Sequence, residues 1–132
     1  SLGVERRVNF AGRRGDIQRY YGARDLFLLP TAYEPFPNVN LEAMACGLPV
    51  MTTSTAGGAD IVREGDNGYL ISDVNAVDEM VACLDRHCGL PSETRTRMAE
   101  SCWQTAQEYP IERNVQQTLA MFEEVVKEKR AA

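Results

Sequence analysis

Histidine, lysine and long apolar runs are scarce in this sequence. It carries one histidine, His87, and its only lysines are Lys127 and Lys129, close to the end. A zinc site needs several imidazole or thiolate ligands, and the four cysteines (Cys46, Cys83, Cys88 and Cys102) form no CxxC pair. Free cysteines of this kind read as small buried apolar side chains in a reducing compartment. His87 falls in the last turn of a helix expected to end at Gly89, where a polar or cationic side chain suits the dipole, so it reads as a terminus residue and not as a catalyst. No apolar run approaches the ~20 residues of a spanning helix. The opening Ser1-Leu2-Gly3-Val4-Glu5-Arg6-Arg7 does not have the pattern of a signal peptide. Basic residues are outnumbered 14 to 19, for a net charge of -5. That balance argues against nucleic acid as a partner, since no basic stripe is available, and it gives no membrane signal.

What is present is ordinary globular material: 132 residues, 44% apolar and 25% charged. A chain of this length buries roughly 68% of its unfolded surface, enough for one core. Short apolar runs alternate with helical patterns through the first two-thirds. Strands are expected at 7–10, 25–29, 49–52 and 68–71, with the run Asp25-Leu26-Phe27-Leu28-Leu29 suited to burial on both faces. Helices are expected at 16–22, capped by Asp16 with Tyr20 and Tyr21 available for packing, at 38–46, stopped by Gly47, and at 59–64, opened by Gly57-Gly58. This alternation predicts an α/β fold with a parallel sheet and flanking helices.

The last sixty residues or so read as a helical tail of three helices separated at Pro91 and Pro110. Three stripes recur at helical spacing: Val77, Met80, Val81 and Leu84; Met98, Cys102, Ala106 and Tyr109; and Ile111, Val115, Leu119, Phe122 and Val126. Each reads as a core face. Glu123, Glu124, Lys127, Glu128, Lys129 and Arg130 read as a solvated helix end.

The stretch from Tyr33 to Val50 carries the chemistry. The loop after the second strand leaves the carboxyl edge of the sheet, where open α/β folds bind ligands. A helix starting near Asn38 or Val39 aims free amides at that crevice, and helix N-termini bind phosphate. Pro35 and Pro37 stiffen the approach. Glu34 precedes the helix and Glu42 lies about one turn inside it. An ionised carboxylate offers only acceptors, so each suits a pair of hydroxyls. A polyol joined to phosphate, a nucleotide sugar, fits this set. Dipole preference alone also favours a glutamate at a helix start, and spacing by itself does not separate the two readings.

The surrounding residues do separate them. Glu34 and Glu42 resemble the E-x7-E signature of retaining, nucleotide-sugar-dependent group 1 glycosyltransferases of GT-B fold. Leu41-Glu42-Ala43-Met44-Ala45-Cys46-Gly47-Leu48-Pro49-Val50 is similar to that family's LEAMA-x-G-x-PV segment. Upstream, Val8-Asn9-Phe10-Ala11-Gly12 and Tyr21 to Thr31 resemble its V-x-F-x-G and A-D-x-x-x-x-P-S patterns. Downstream, Gly57 to Val62 and Gly65 to Leu70 resemble GG-x-x-E-I-V and G-x-N-G-x-L-V. The match runs over roughly residues 5 to 85, in order. Asp60 stands where glutamate is usual, and Asn40 where an apolar residue is commoner.

The resemblance implies a Rossmann-like C-terminal domain of a GT-B fold and transfer of a sugar with retention, without metal or other cofactor. The sequence agrees on metal, having no Asp-x-Asp pair. By position, Glu34 matches the glutamate that contacts the transferred sugar and supports charge there, and Glu42 the one that holds the ribose hydroxyls. Phe36, Pro37, Asn38, Val39 and Asn40 match the turn whose backbone meets sugar and diphosphate. For Gly57 and Gly58 a tight turn is as good a reading as ligand contact. Transferases acting on lipopolysaccharide core and related cell-surface glycans look closest. The family's diphosphate-gripping Gly-Arg turn and Arg/Lys pair have no counterpart in residues 1–30, where Arg13 and Arg14 are misplaced. The expectation is therefore a partial domain whose own N-terminal acceptor domain is missing. Alone it neither transfers sugar nor holds donor tightly, and it self-associates through exposed edges. The resemblance places the full-length protein in the cytoplasm, touching the inner membrane face only through the missing domain. The alternatives are a nucleotide-sugar epimerase of the same fold, a phosphorylase (weakened because both lysines lie in the tail), and a non-catalytic GT-B-like interaction module.

Overall fold

Val50, Met51, Thr52 and Thr53 form a strand with no exposed residue, and the rest of the molecule is arranged around it. A computed structural model describes residues 3–131; Ser1 and Leu2 of the opening stretch lie outside it. The elements are α1 (Ile17–Tyr21), β1 (Phe27–Leu29), α2 (Asn38–Ala45), β2 (Val50–Thr53), a 3-10 turn (Ala59–Ile61), β3 (Gly68–Ile71), α3 (Val77–Cys88), α4 (Ser92–Gln107) and α5 (Ile111–Ala131). The strands are parallel in the order β1-β2-β3, with Phe27 opposite Val50 and Val50 opposite Gly68. Alternate residues of the central strand serve opposite faces. Val50 joins Tyr21, Ala43, Met44, Leu48, Ile61, Val62 and Cys102 in one core cluster. Met51 joins Tyr69, Ile71, Cys83 and Met98 in the other. The α/β architecture with a parallel sheet, flanking helices and a helical tail is the one the sequence predicts.

The stop after α2 shows why that helix is short. Gly47 adopts φ +73, and Leu48 turns back to donate its N–H to the Ala43 carbonyl at 3.0 Å. A left-handed residue costs glycine nothing, so the chain reverses there into β2.

Several expectations need correction. Residues 7–10 form no strand: Val8 and Phe10 are exposed, and no described strand pairs with them. A strand needs a neighbour for its N–H and C=O groups, and this segment has none. β1 lies at the sheet edge, so Leu28 is 40% exposed and the strand is not buried on both faces. The helix expected at 59–64 is only the 3-10 turn at Ala59–Ile61. Asp16 precedes α1 but makes no side-chain cap bond. On α3 the inward residues are Cys83 and His87, while Val77, Val81 and Leu84 face out. Met80 packs with the inner cluster, so the buried stripe is Met80-Cys83-His87, rotated from the expected one. Along α5, Ile111, Val115, Leu119, Phe122 and Val126 are all exposed, because that helix projects past both clusters and no layer among the described residues covers it. Cys46 and Cys88 are exposed; only Cys83 and Cys102 are buried.

Candidate functional site

The site is built on the carboxyl ends of β1 and β2. Two threonines at the end of β2 fasten the chain that leaves β1. Thr52 Oγ1 donates to the Leu29 carbonyl at 3.0 Å and Thr53 Oγ1 to the Thr31 carbonyl at 2.5 Å. Farther along, the Gly57 N–H donates to the Glu34 carbonyl at 2.8 Å. A Cβ at Gly57 would collide with the Pro35 carbonyl, so glycine is required there by close approach of two backbones. Glu34 is thereby held in a loop whose backbone is tied at three points. The two threonines are site residues that sequence reasoning missed; hydroxyls inside an otherwise apolar buried strand were the available signal.

From Pro37 the chain enters α2. Pro37 is the N-cap, with no side-chain cap bond and no acidic residue in the first turn. No side chain caps the helix start, which keeps its partial positive charge. Pro37 is buried, Asn38 is exposed and Val39 is partly covered. Phe36 is 38% exposed and tilts against Tyr109, the ring centroids 6.5 Å apart. Asn40 is fully buried.

Glu42 begins the second turn of α2 and is exposed. It stands beside Tyr21 of α1, whose phenol is pushed up from its ordinary value by burial first and then by the Glu42 charge and hydrogen bond. Glu34 and Glu42 thus flank the start of one helix from different directions, Glu34 on the sheet-edge loop and Glu42 on the α1 side. A cavity of about 640 Å³ opens next to them, lined by Phe36, Asn38, Leu41 and, from the α4–α5 junction, Tyr109, Arg113 and Asn114. Neither Glu34 nor Glu42 lines it.

Behind the site, the turn before β3 is locked to α4. Arg63 donates to Ser101 and Thr105 (both 2.9 Å) and pairs with Asp66 at 2.7 Å, while Asn67 donates to Thr105 at 2.9 Å. His87 proves to be a buried tie and not a mere terminus residue. Its Nε2 lies 2.9 Å from the Asp25 carbonyl, which only accepts, so Nε2 donates and Nδ1 accepts from the Tyr69 hydroxyl at 3.0 Å. That tie fastens the end of α3 to the approach of β1.

This geometry can be set beside known proteins. The chain is 34% identical over 99 residues to the lipopolysaccharide core biosynthesis glycosyltransferase LpsE of Rhizobium meliloti, covering 75% of this chain and 28% of that one. It is 30% identical over 132 residues to the N-acetyl-alpha-D-glucosaminyl L-malate synthase of Bacillus anthracis, covering 98% of this chain and 34% of that one. A crystal structure of Anabaena HepE in complex with UDP and glucose superposes with a TM-score of 0.83 at 31% identity, over 92% of this chain and 33% of that one. The chain therefore spans about a third of the length of the relatives it matches. The model of the family described as glycosyl transferases group 1 matches residues 1–88. With that match over two-thirds of its length, the chain belongs to the group 1 glycosyltransferases.

Proposed function

We propose that this chain is the donor-binding part of a glycosyltransferase that moves a sugar from a nucleotide sugar to a cell-surface glycan such as lipopolysaccharide core, with retention and without metal. The observation that carries the reading is the uncapped start of α2, set between Glu34 and Glu42 at the carboxyl edge of the sheet. The amides of Phe36, Asn38 and Val39 take the diphosphate, whose charge grows as the bond from the sugar's anomeric carbon to the phosphate oxygen breaks; the Asn40 N–H is already given to the Pro37 carbonyl. Glu34 accepts hydrogen bonds from the sugar hydroxyls and its charge supports the positive character of the sugar ring. Glu42 accepts from the ribose hydroxyls. The acceptor oxygen bonds to the anomeric carbon on the face the diphosphate leaves, and its proton passes to the departing phosphate oxygen. The binding of UDP by HepE, a relative of matching fold, supports a nucleotide-sugar donor.

On this reading the acceptor site lies on a separate N-terminal domain and the remaining diphosphate contacts on an earlier part of this same domain, so the 132 residues alone transfer no sugar. The test is steady-state kinetics of the complete protein with UDP-sugars. Glu42→Ala raises the donor KM about ten- to a hundredfold, the worth of a hydrogen bond to a charged group. Glu34→Ala lowers kcat, and chelation with EDTA leaves the rate unchanged. Unaltered kinetics in both variants would remove the site assignment, and loss of activity on chelation would remove the metal-free mechanism.

A further inference from the structure

Asn40 is a buried polar side chain at this site with no partner among the described residues for either of its polar atoms, the amide nitrogen and the carbonyl oxygen. It lies at the third position of α2 and is fully buried. In a capping box a Glu or Gln at that position reaches back to the N–H of the N-cap residue. Here the N-cap is Pro37, which has no N–H to offer. The nitrogen faces the Gly57–Gly58 turn: a Cβ on Gly58 would stand 2.7 Å from Nδ2 and 2.9 Å from the Pro37 ring. The cover over this amide is therefore a glycine backbone and a proline ring, at the sheet edge where the Glu34 loop also lies. An unpaired buried amide lowers stability, and an apolar residue of the same shape would avoid that cost.

We propose that Asn40 is a specificity-determining residue of the donor site, its amide taking two adjacent hydroxyls of the bound nucleotide sugar. This rests on the donor-site reading. Nδ2 donates to one hydroxyl oxygen and Oδ1 accepts from its neighbour, so an amide with both capacities unspent matches a vicinal diol. A small displacement of the Gly57–Gly58 turn admits the diol, and glycine is the residue whose backbone moves at least steric cost. Both the transferred sugar and the ribose carry such a diol. Asn40 lies beneath the turn that bonds to Glu34, whereas Glu42 faces α1, and this favours the sugar.

The experiment measures binding of UDP-glucose and of UDP by calorimetry to the complete protein, as wild type, Asn40→Leu and Asn40→Asp, together with melting temperatures. Asn40→Leu is expected to melt at or above wild type while binding UDP-glucose about tenfold more weakly. Asn40→Asp, which keeps the acceptor and loses the donor, also weakens binding and serves if the leucine variant does not fold. Weakening for UDP-glucose alone assigns the sugar diol; equal weakening for UDP assigns the ribose diol. Wild-type affinity for both ligands in a folded variant would overturn the proposal and leave Asn40 as a stability cost only. Failure of the wild-type protein to bind either ligand would instead overturn the donor-site reading itself.

Discussion

Asp66 receives a hydrogen bond from Ser101 and another from Arg63, and these hold its carboxyl below the ordinary value of 3.8. A carboxyl more acidic when folded contributes stability that is present above its unfolded value and lost as pH falls through the folded one. Thermal stability should therefore fall off below about pH 4, and Asp66→Asn should flatten that part of the profile. An unchanged acid limb in the variant would contradict this role. The opposite sign holds for Cys102, whose thiol is pushed up from 9.0 to about 12 by burial first and by Asp66 second. Its contribution is intact below pH 9.0 and is lost between there and about 12, as the unfolded thiol ionises first. The same burial makes it inert. A thiol reagent at neutral pH should modify Cys46 and Cys88 in the native chain and spare Cys83 and Cys102 until it unfolds. Labelling of Cys102 at the rate of Cys46 would contradict the packing described.

At the scale of elements, the Glu34 loop depends on backbone closeness more than on its own sequence. Gly57→Ala sets a methyl group against the Pro35 carbonyl and should destabilise by about 1–3 kcal/mol, with loss of donor binding. Thr53→Val leaves the Thr31 carbonyl without its hydroxyl partner and should cost about 1–3 kcal/mol. Chemical denaturation of both variants checks these figures, and wild-type midpoints would contradict them. How much of this was legible beforehand follows from range. Gly47 ends α2 through a local turn, and β2 and β3 announced themselves as apolar runs, so those elements were readable. The motif around Glu34 and Glu42 lies within nine residues and was readable too. The Thr52 and Thr53 bonds, the Gly57 approach to Pro35 and the His87 tie to Asp25 join residues far apart in the chain, and no local pattern encodes them. The stripes on α3 and α5 misled because periodicity shows that a helix has an apolar face but not what covers it.

For the whole molecule, the exposed α5 stripe and the open edge of β1 have one consequence. The isolated chain should self-associate as its concentration rises, since both surfaces remain uncovered among the described residues. Size-exclusion chromatography with light scattering gives the check, and a clean monomer at high concentration would contradict it. No helix among the described residues is long and apolar enough to cross a membrane, so these surfaces are not a spanning segment. The central claim, that donor is held where the Glu34 loop, the start of α2 and the Gly57–Gly58 turn meet, is tested most directly by hydrogen exchange on the complete protein with and without UDP-glucose. Backbone amides at residues 34–42 and 57–58 should slow on binding, while those midway along α5 should not. Protection confined to other segments, with residues 34–42 unchanged in a protein that binds UDP-glucose, would contradict the account.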